Sequence, residues 1–209
     1  MKFLGFNKVL CISPHPDDVE YSMLGTILKY TDTEFHLFQM SQGGDCDPST
    51  NETRLLEVQH VWKTANTSNI NLHFTDFKFI KDLQEDQWIN MIERLVAQLD
   101  VDAICLPTET DSHFEHRYVA NFGPALIRNK KISLIQYYTP STQDEWNPNL
   151  YIDINDVYDI KIDSLKEFKS QLHRYYFRSD VLRAFHSDFQ CSKKAIHYIE
   201  KYKIINLYK

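Results

Sequence analysis

The stretch Lys8-Val9-Leu10-Cys11-Ile12-Ser13-Pro14-His15-Pro16-Asp17-Asp18-Val19-Glu20-Tyr21-Ser22-Met23-Leu24-Gly25-Thr26-Ile27-Leu28 decides the fold. Its first six residues run apolar without a break, as a central strand covered on both faces does. Pro14 and Pro16 then end the strand, because neither supplies the backbone N–H that a ladder needs. From Asp18 to Tyr30, Val19, Met23, Leu24, Ile27 and Leu28 recur at helical spacing. A buried strand, a polar turn and an amphipathic helix make the opening half of a βαβ unit, which predicts a parallel sheet.

The same alternation continues along the chain. Expected strands are Glu34 to Met40, Leu72 to Phe74, Val101 to Leu106, Ser133 to Tyr138 and Leu150 to Ile154. Expected helices cover Glu52 to Ala65, Asp86 to Leu99, His116 to Arg128 and Val157 to Leu172, followed by a charged, aromatic tail with helical stretches. The prediction is a Rossmann-like α/β fold, a mainly parallel sheet with helices on both faces. The chain has 209 residues, 43% of them hydrophobic, and no linker or repeat, so residues 1–209 are expected to form one domain.

A net charge of −6 leaves no basic field for nucleic acid or an anionic membrane. No apolar run reaches the length of a membrane span, and the N-terminus lacks the apolar core of a signal peptide. Cys11, Cys46, Cys105 and Cys191 form no CxxC pair and read as reduced thiols, so a cytoplasmic protein with a small-molecule partner is expected.

Two clusters carry chemistry. Ser13-Pro14-His15-Pro16-Asp17-Asp18-Val19-Glu20 follows the first strand, and Asp111-Ser112-His113-Phe114-Glu115-His116-Arg117 follows another. Ligands of open α/β sheets bind beyond the carboxyl ends of the strands. Helix capping and dipole complementation account for one or two of the acids, but not for a histidine between prolines. Two such clusters at one sheet edge can converge on a single ion. Histidines with a carboxylate and an open position are the usual holder of catalytic zinc, which points to hydrolysis.

These residues resemble the PIG-L/LmbE-type zinc-dependent N-deacetylases. The Pro-His-Pro-Asp-Asp-x-Glu element is matched by Pro14 to Glu20, and the His-x-Asp-His element by His113 to His116. Further matches are Arg54 and Glu57, Asp76-Phe77-Lys78, Tyr151-Ile152-Asp153-Ile154, Lys161 and Ser170-Gln171. The resemblance implies that His15, Asp18 and His116 bind zinc and that Asp17 is the general base. It implies that His113 stabilises the oxyanion or protonates the leaving amine, and that the substrate is an N-acetylated amino sugar of the GlcNAc type. Arg54 and Asp76 are expected at the substrate. Glu115 stands where the family usually has Asp, and Leu24 replaces the first glycine of a Gly-Gly pair; both bear on substrate fit. Asp111 is expected to orient a histidine through its second nitrogen.

Two other readings compete. One is hydrolysis of a different N-acyl bond, such as a formamide. The other is a sugar- or nucleotide-binding protein without chemistry, although five glycines and no G-x-G-x-x-G loop argue against a dinucleotide. His36, His60, His73, His173, His186 and His197 have no partner at ligand spacing and read as ordinary core or surface histidines. Tyr175, Tyr176, Phe177, Phe185 and Phe189 either pack under the tail or line an oligomer contact.

Overall fold

The computed structural model describes residues 1–43, 51–188 and 197–208. Cys46, Cys191, Phe189 and most of the Ser41 to Pro48 loop lie outside the described residues.

Five parallel strands form the heart of the sheet: β1 (Lys8–Ser13), β2 (Glu34–Gln39), β3 (Ile70–Phe74), β4 (Ala103–Pro107) and β5 (Ser133–Tyr137). Their spatial order is β3-β2-β1-β4-β5. Beyond β5 lie β8 (His197–Asn206) and β6 (Leu150–Asp153), with β8 antiparallel to both neighbours. A two-residue strand, β7 (Ser187–Asp188), pairs with the start of β8.

The sheet separates two apolar layers, because successive side chains of a strand point to opposite faces. Val9 and Cys11 of β1 join Ala103 and Cys105 of β4 on one face, against α1 (Asp18–Lys29), α2 (Asn51–Ala65) and α6 (Tyr158–Leu165). Leu10, Ile12, Ile104 and Leu106 face the other way, against α3 (Glu85–Leu99), α4 (Phe114–Ala120) and α5 (Gly123–Ile127). This is the expected α/β fold with helices on both faces.

Several boundaries differ from the sequence expectation. The helix expected over His116 to Arg128 is two helices, α4 and α5, split where Gly123-Pro124 opens the second. Proline lacks the N–H for an unbroken ladder. The helix expected to run to Leu172 stops at Leu165. Beyond it, Ser170 is drawn to α2, where the Glu57 carboxylate accepts from its amide at 2.8 Å and its hydroxyl at 2.6 Å. Among its described residues the tail carries a short 3-10 turn (Tyr175–Phe177) and the helix α7 (Ser179–His186), and the ten-residue strand β8 is inserted between β5 and β6.

Strand β8 carries Glu200 into the core against α1. Its carboxylate accepts from the amides of Gly25 and Thr26 at 2.8 and 2.7 Å, from the Thr26 hydroxyl at 2.5 Å and from the Tyr202 hydroxyl at 3.0 Å. Lys161 of α6, wholly buried, pairs with Glu200 at 2.5 Å and donates to the Tyr21 carbonyl at 2.6 Å. Tyr21 C=O and Gly25 N–H would pair with each other one helical turn apart; here each also receives a side-chain partner. A Cβ on residue 25 would lie 2.9 Å from Glu200 and Ile154, so only glycine admits this approach. Leu24, beside it, is fully buried in the core.

Candidate metal centre

The chain leaves β1 toward β2 and β3 on one side of the sheet and returns to β4 and β5 on the other, so the crevice opens between the carboxyl ends of β1 and β4. The two sequence clusters follow those two strands and meet there. They line a cavity of about 270 Å³ that also touches Tyr21, Gly43, Arg54, Ser141, Gln171 and Tyr176.

The segment from Pro14 to Asp18 folds back on itself. The Asp18 Oδ2 atom accepts from the His15 amide at 2.8 Å and lies 3.2 Å from His15 Nδ1. Its other oxygen, Oδ1, lies 3.2 Å from His116 Nε2. One carboxylate therefore bridges two imidazoles that are 101 positions apart in sequence (116 − 15). The His116 ring is fixed from behind by Asp111, fully buried, at 3.0 Å from Nδ1. Asp111 in turn accepts from the Thr139 hydroxyl at 2.7 Å and from the His113 amide at 2.7 Å. The histidine that Asp111 contacts through its second nitrogen is His116.

Asp17 occupies the N-cap position of α1 with φ 116°, yet its side chain makes no capping bond. The left-handed region costs a non-glycine residue energy, though aspartate bears it better than most. That backbone turn aims the carboxylate into the cavity rather than at the helix. Asp17 Oδ2 is buried without a hydrogen-bond partner among the described residues, and Oδ1 lies 3.5 Å from an Arg54 nitrogen. Burial pushes the Asp17 carboxyl up to about 7, against the lowering pull of Arg54.

Carboxylates and imidazoles set one another's charge at the centre. Burial opposes ionisation of Asp18, but His116 and His15 outweigh it and hold its carboxyl well below the usual range. Burial likewise opposes charge on His116, and the carboxylates of Asp18 and Asp111 overcome it, lifting the imidazole to about 10. His15 is raised too, its burial outweighed by contacts with Asp18 and Glu115. Both shifts have one cause, the carboxylates packed around the two imidazoles, and a cation placed there would meet the same negative surround. A second donor set overlaps the first: ligand atoms of His15, His113 and His116 all lie within 4.8 Å of one another. The residues present fit a metal ion.

His113 caps α4, accepting from the Glu115 amide on Nδ1 at 3.3 Å. Its ring stacks on His116 at 4.6 Å between centroids and sits 4.8 Å from His15. Burial lowers its pKa, and the neighbouring His15 and His116 add to this. Glu115 was expected only to shape substrate fit, yet its Oε2 lies 2.7 Å from His15 Nε2.

Arg54 is buried at the cavity wall, donating to the Pro16 carbonyl at 2.7 Å and the Gly43 carbonyl at 2.9 Å. Asp76 is exposed and does not line the cavity, so the two expected substrate contacts part company. Elsewhere, His36 and His73 meet at 3.0 Å across β2 and β3, a pairing invisible in their spacing. Cys11 and Cys105 are buried free thiols, and among the described residues no helix is long and apolar enough to cross a membrane.

Known proteins share this fold. A diacetylchitobiose deacetylase of Thermococcus kodakarensis is 24% identical over 202 residues, covering 81% of this chain and 72% of its own length. The structure of an N,N'-diacetylchitobiose deacetylase from Pyrococcus horikoshii superposes with a TM-score of 0.75 at 20% identity, over 98% of this chain and 85% of that one. A 4-carboxy-2-hydroxymuconate hydratase from Pseudomonas putida does so with a TM-score of 0.74 at 15% identity, over 98% and 96%. The fold therefore hosts more than one chemistry, and the site must decide function. The model of the PIG-L family, GlcNAc-PI de-N-acetylase, matches residues 10–127, a span that runs from β1 through both histidine clusters, and the chain belongs to that family.

Proposed function

We propose that this chain is a zinc-dependent N-deacetylase that removes the acetyl group from an N-acetylated amino sugar conjugate. The observation that carries the reading is the single Asp18 carboxylate bridging His15 and His116, with Asp17 beside it in the same cavity, its Oδ1 paired with Arg54 and its buried Oδ2 without a hydrogen-bond partner among the described residues. His15, Asp18 and His116 would hold the zinc. Of the two donor sets, the one with Asp18 gives this buried anion a direct counter-charge, as a catalytic site with two imidazoles and a carboxylate does. Zinc there supplies Lewis-acid polarisation of a carbonyl and lowers the pKa of a water to about 7.

The chain's own residues do the rest. Asp17 accepts a proton from the attacking water, a contribution of roughly 10²–10⁴ in rate for a positioned base. Arg54, tied to the carbonyls of Pro16 and Gly43, holds the Asp17 turn and forms part of the wall that substrate meets. His113 accepts on Nδ1, so its neutral ring carries its proton on Nε2, a donor for the acetamide oxygen as negative charge gathers there. Gln171 and Tyr176 on the cavity wall offer polar contacts to sugar hydroxyls, a role better placed there than at Asp76.

The similarity to diacetylchitobiose deacetylases supports an acetamido sugar as substrate. We read residues 1–209 as one catalytic domain, in the cytoplasm, where thiols such as Cys11 and Cys105 stay reduced. The test is Asp17→Asn, assayed by acetate release from N-acetylglucosamine conjugates with zinc measured on the same sample. Loss of about 10²-fold or more in kcat with stoichiometric zinc retained is expected. Full turnover in that variant removes Asp17 as base. A panel of N-acyl compounds read by amine release separates acetyl from formyl hydrolysis, and protein unable to take up zinc would indicate binding without chemistry.

A further inference from the structure

We propose that Glu115 is a positioning residue for the metal centre, holding the His15 imidazole by Nε2 so that Nδ1 is the nitrogen presented to Asp18 and the ion. The inference rests on the zinc site proposed above. The Glu115 Oε2 to His15 Nε2 distance is 2.7 Å, and both side chains are largely buried, at 17% and 12% exposure. The opposite nitrogen of His15, Nδ1, lies 3.2 Å from Asp18 Oδ2.

The arrangement repeats on the other histidine. His116 is gripped on Nδ1 by Asp111 at 3.0 Å and turns Nε2 to Asp18 at 3.2 Å. Each imidazole thus has one nitrogen on an outer carboxylate and the other on the shared inner one. Metal-binding histidines almost always give their second N–H to such an outer partner, which sets the tautomer and raises ligand basicity. Asp111 and Glu115 fill that position for the two rings.

The reach depends on side-chain length. Glu115 lies in the first turn of α4, one residue before His116 and 100 positions after His15 in sequence. An aspartate there would be shorter by one methylene, about 1.5 Å, too short to keep a 2.7 Å contact with His15 without movement of the helix. His113, nearer in sequence, receives only the Glu115 backbone amide. An acid at this place has a bland role as well, complementing the dipole of α4, but Asp performs that as well as Glu.

The experiment measures zinc affinity by competition with a chromophoric chelator for the wild type, Glu115→Gln and Glu115→Asp, with thermal unfolding of each metal-free protein as the folding control. Both variants are expected to bind zinc 10–100-fold more weakly, with metal-free unfolding temperatures matching the wild type. In the zinc-loaded wild type, ¹⁵N-histidine NMR is expected to show His15 coordinated through Nδ1. Wild-type affinity in Glu115→Asp overturns the proposal, since charge at the helix start would then suffice, and so does coordination of His15 through Nε2. A wild type that takes up no zinc is a different failure: it overturns the zinc reading, and the role of Glu115 with it.

Discussion

Replacing Lys161 by methionine tests how the C-terminal part holds α1, the helix that begins at Asp18. Lys161 is fully buried and burial lowers its pKa, yet the charge is kept by Glu200 at 2.5 Å and the Tyr21 carbonyl at 2.6 Å. Removing one partner of a buried pair strands the other, at a cost of roughly 3–5 kcal/mol. Here the stranded carboxylate keeps donors from Gly25, Thr26 and Tyr202, which places the expected cost at the lower end, about 3 kcal/mol. For a chain of this size that is a fall in Tm of roughly 6–12 °C. The double variant Lys161→Met/Glu200→Leu leaves no buried charge, and the freed amides of Gly25 and Thr26 still have their own helical carbonyls. It is therefore expected to be more stable than Lys161→Met alone. Urea unfolding at pH 7, followed by far-UV and near-UV circular dichroism, measures both. A loss below about 1 kcal/mol in the single variant, or a double variant less stable than the single, would refute the reasoning.

Three further predictions concern the same frame. Burial, aided by the charge of Lys161, keeps the His186 imidazole well below its ordinary pKa. Below pH about 6.5 the unfolded chain therefore takes up a proton that the folded one refuses, and stability should fall by up to about 1.4 kcal/mol per pH unit. The contribution is fully present above that pH, and urea midpoints of His186→Gln from pH 5 to 8 should show a correspondingly flatter slope. Gly43 has φ +100°, and a Cβ there would lie 2.3 Å from Arg54. Gly43→Ala should cost about 1 kcal/mol or more and, by displacing Arg54 from the Asp17 turn, lower kcat; unchanged kcat would free Arg54 from that role. Asp111→Asn should weaken zinc binding 10–100-fold by loosening His116, and chelator competition at wild-type affinity would argue against the orienting bond.

The local chemistry of the centre was legible in the chain before any fold was known. An unbroken apolar strand ending at Pro14-His15-Pro16-Asp17-Asp18, and a second ending before Asp111 to His116, placed both clusters at one sheet edge, because strand and helix periods are properties of neighbouring residues. The family resemblance narrowed this to the proposed ligand set, in which Asp18 bridges the two imidazoles.

Long-range pairing was decided only in three dimensions. The tail strand His197–Asn206 reads as charged, because Glu200, Lys201 and Lys203 mask its alternation; Glu200 is a core residue because Lys161, 39 positions earlier, and the amides of Gly25 and Thr26 in α1 supply its partners. Arg54 proves to be bound to backbone carbonyls, and Asp76 stands away from the cavity, since spacing carries no record of where a loop returns. The extra methylene of Glu115 was visible from the start, but its meaning waits on His15, 100 residues away. A periodic pattern reports which face of an element is buried, whereas the partner of a buried charge is set by chain segments that meet only when the sheet is assembled.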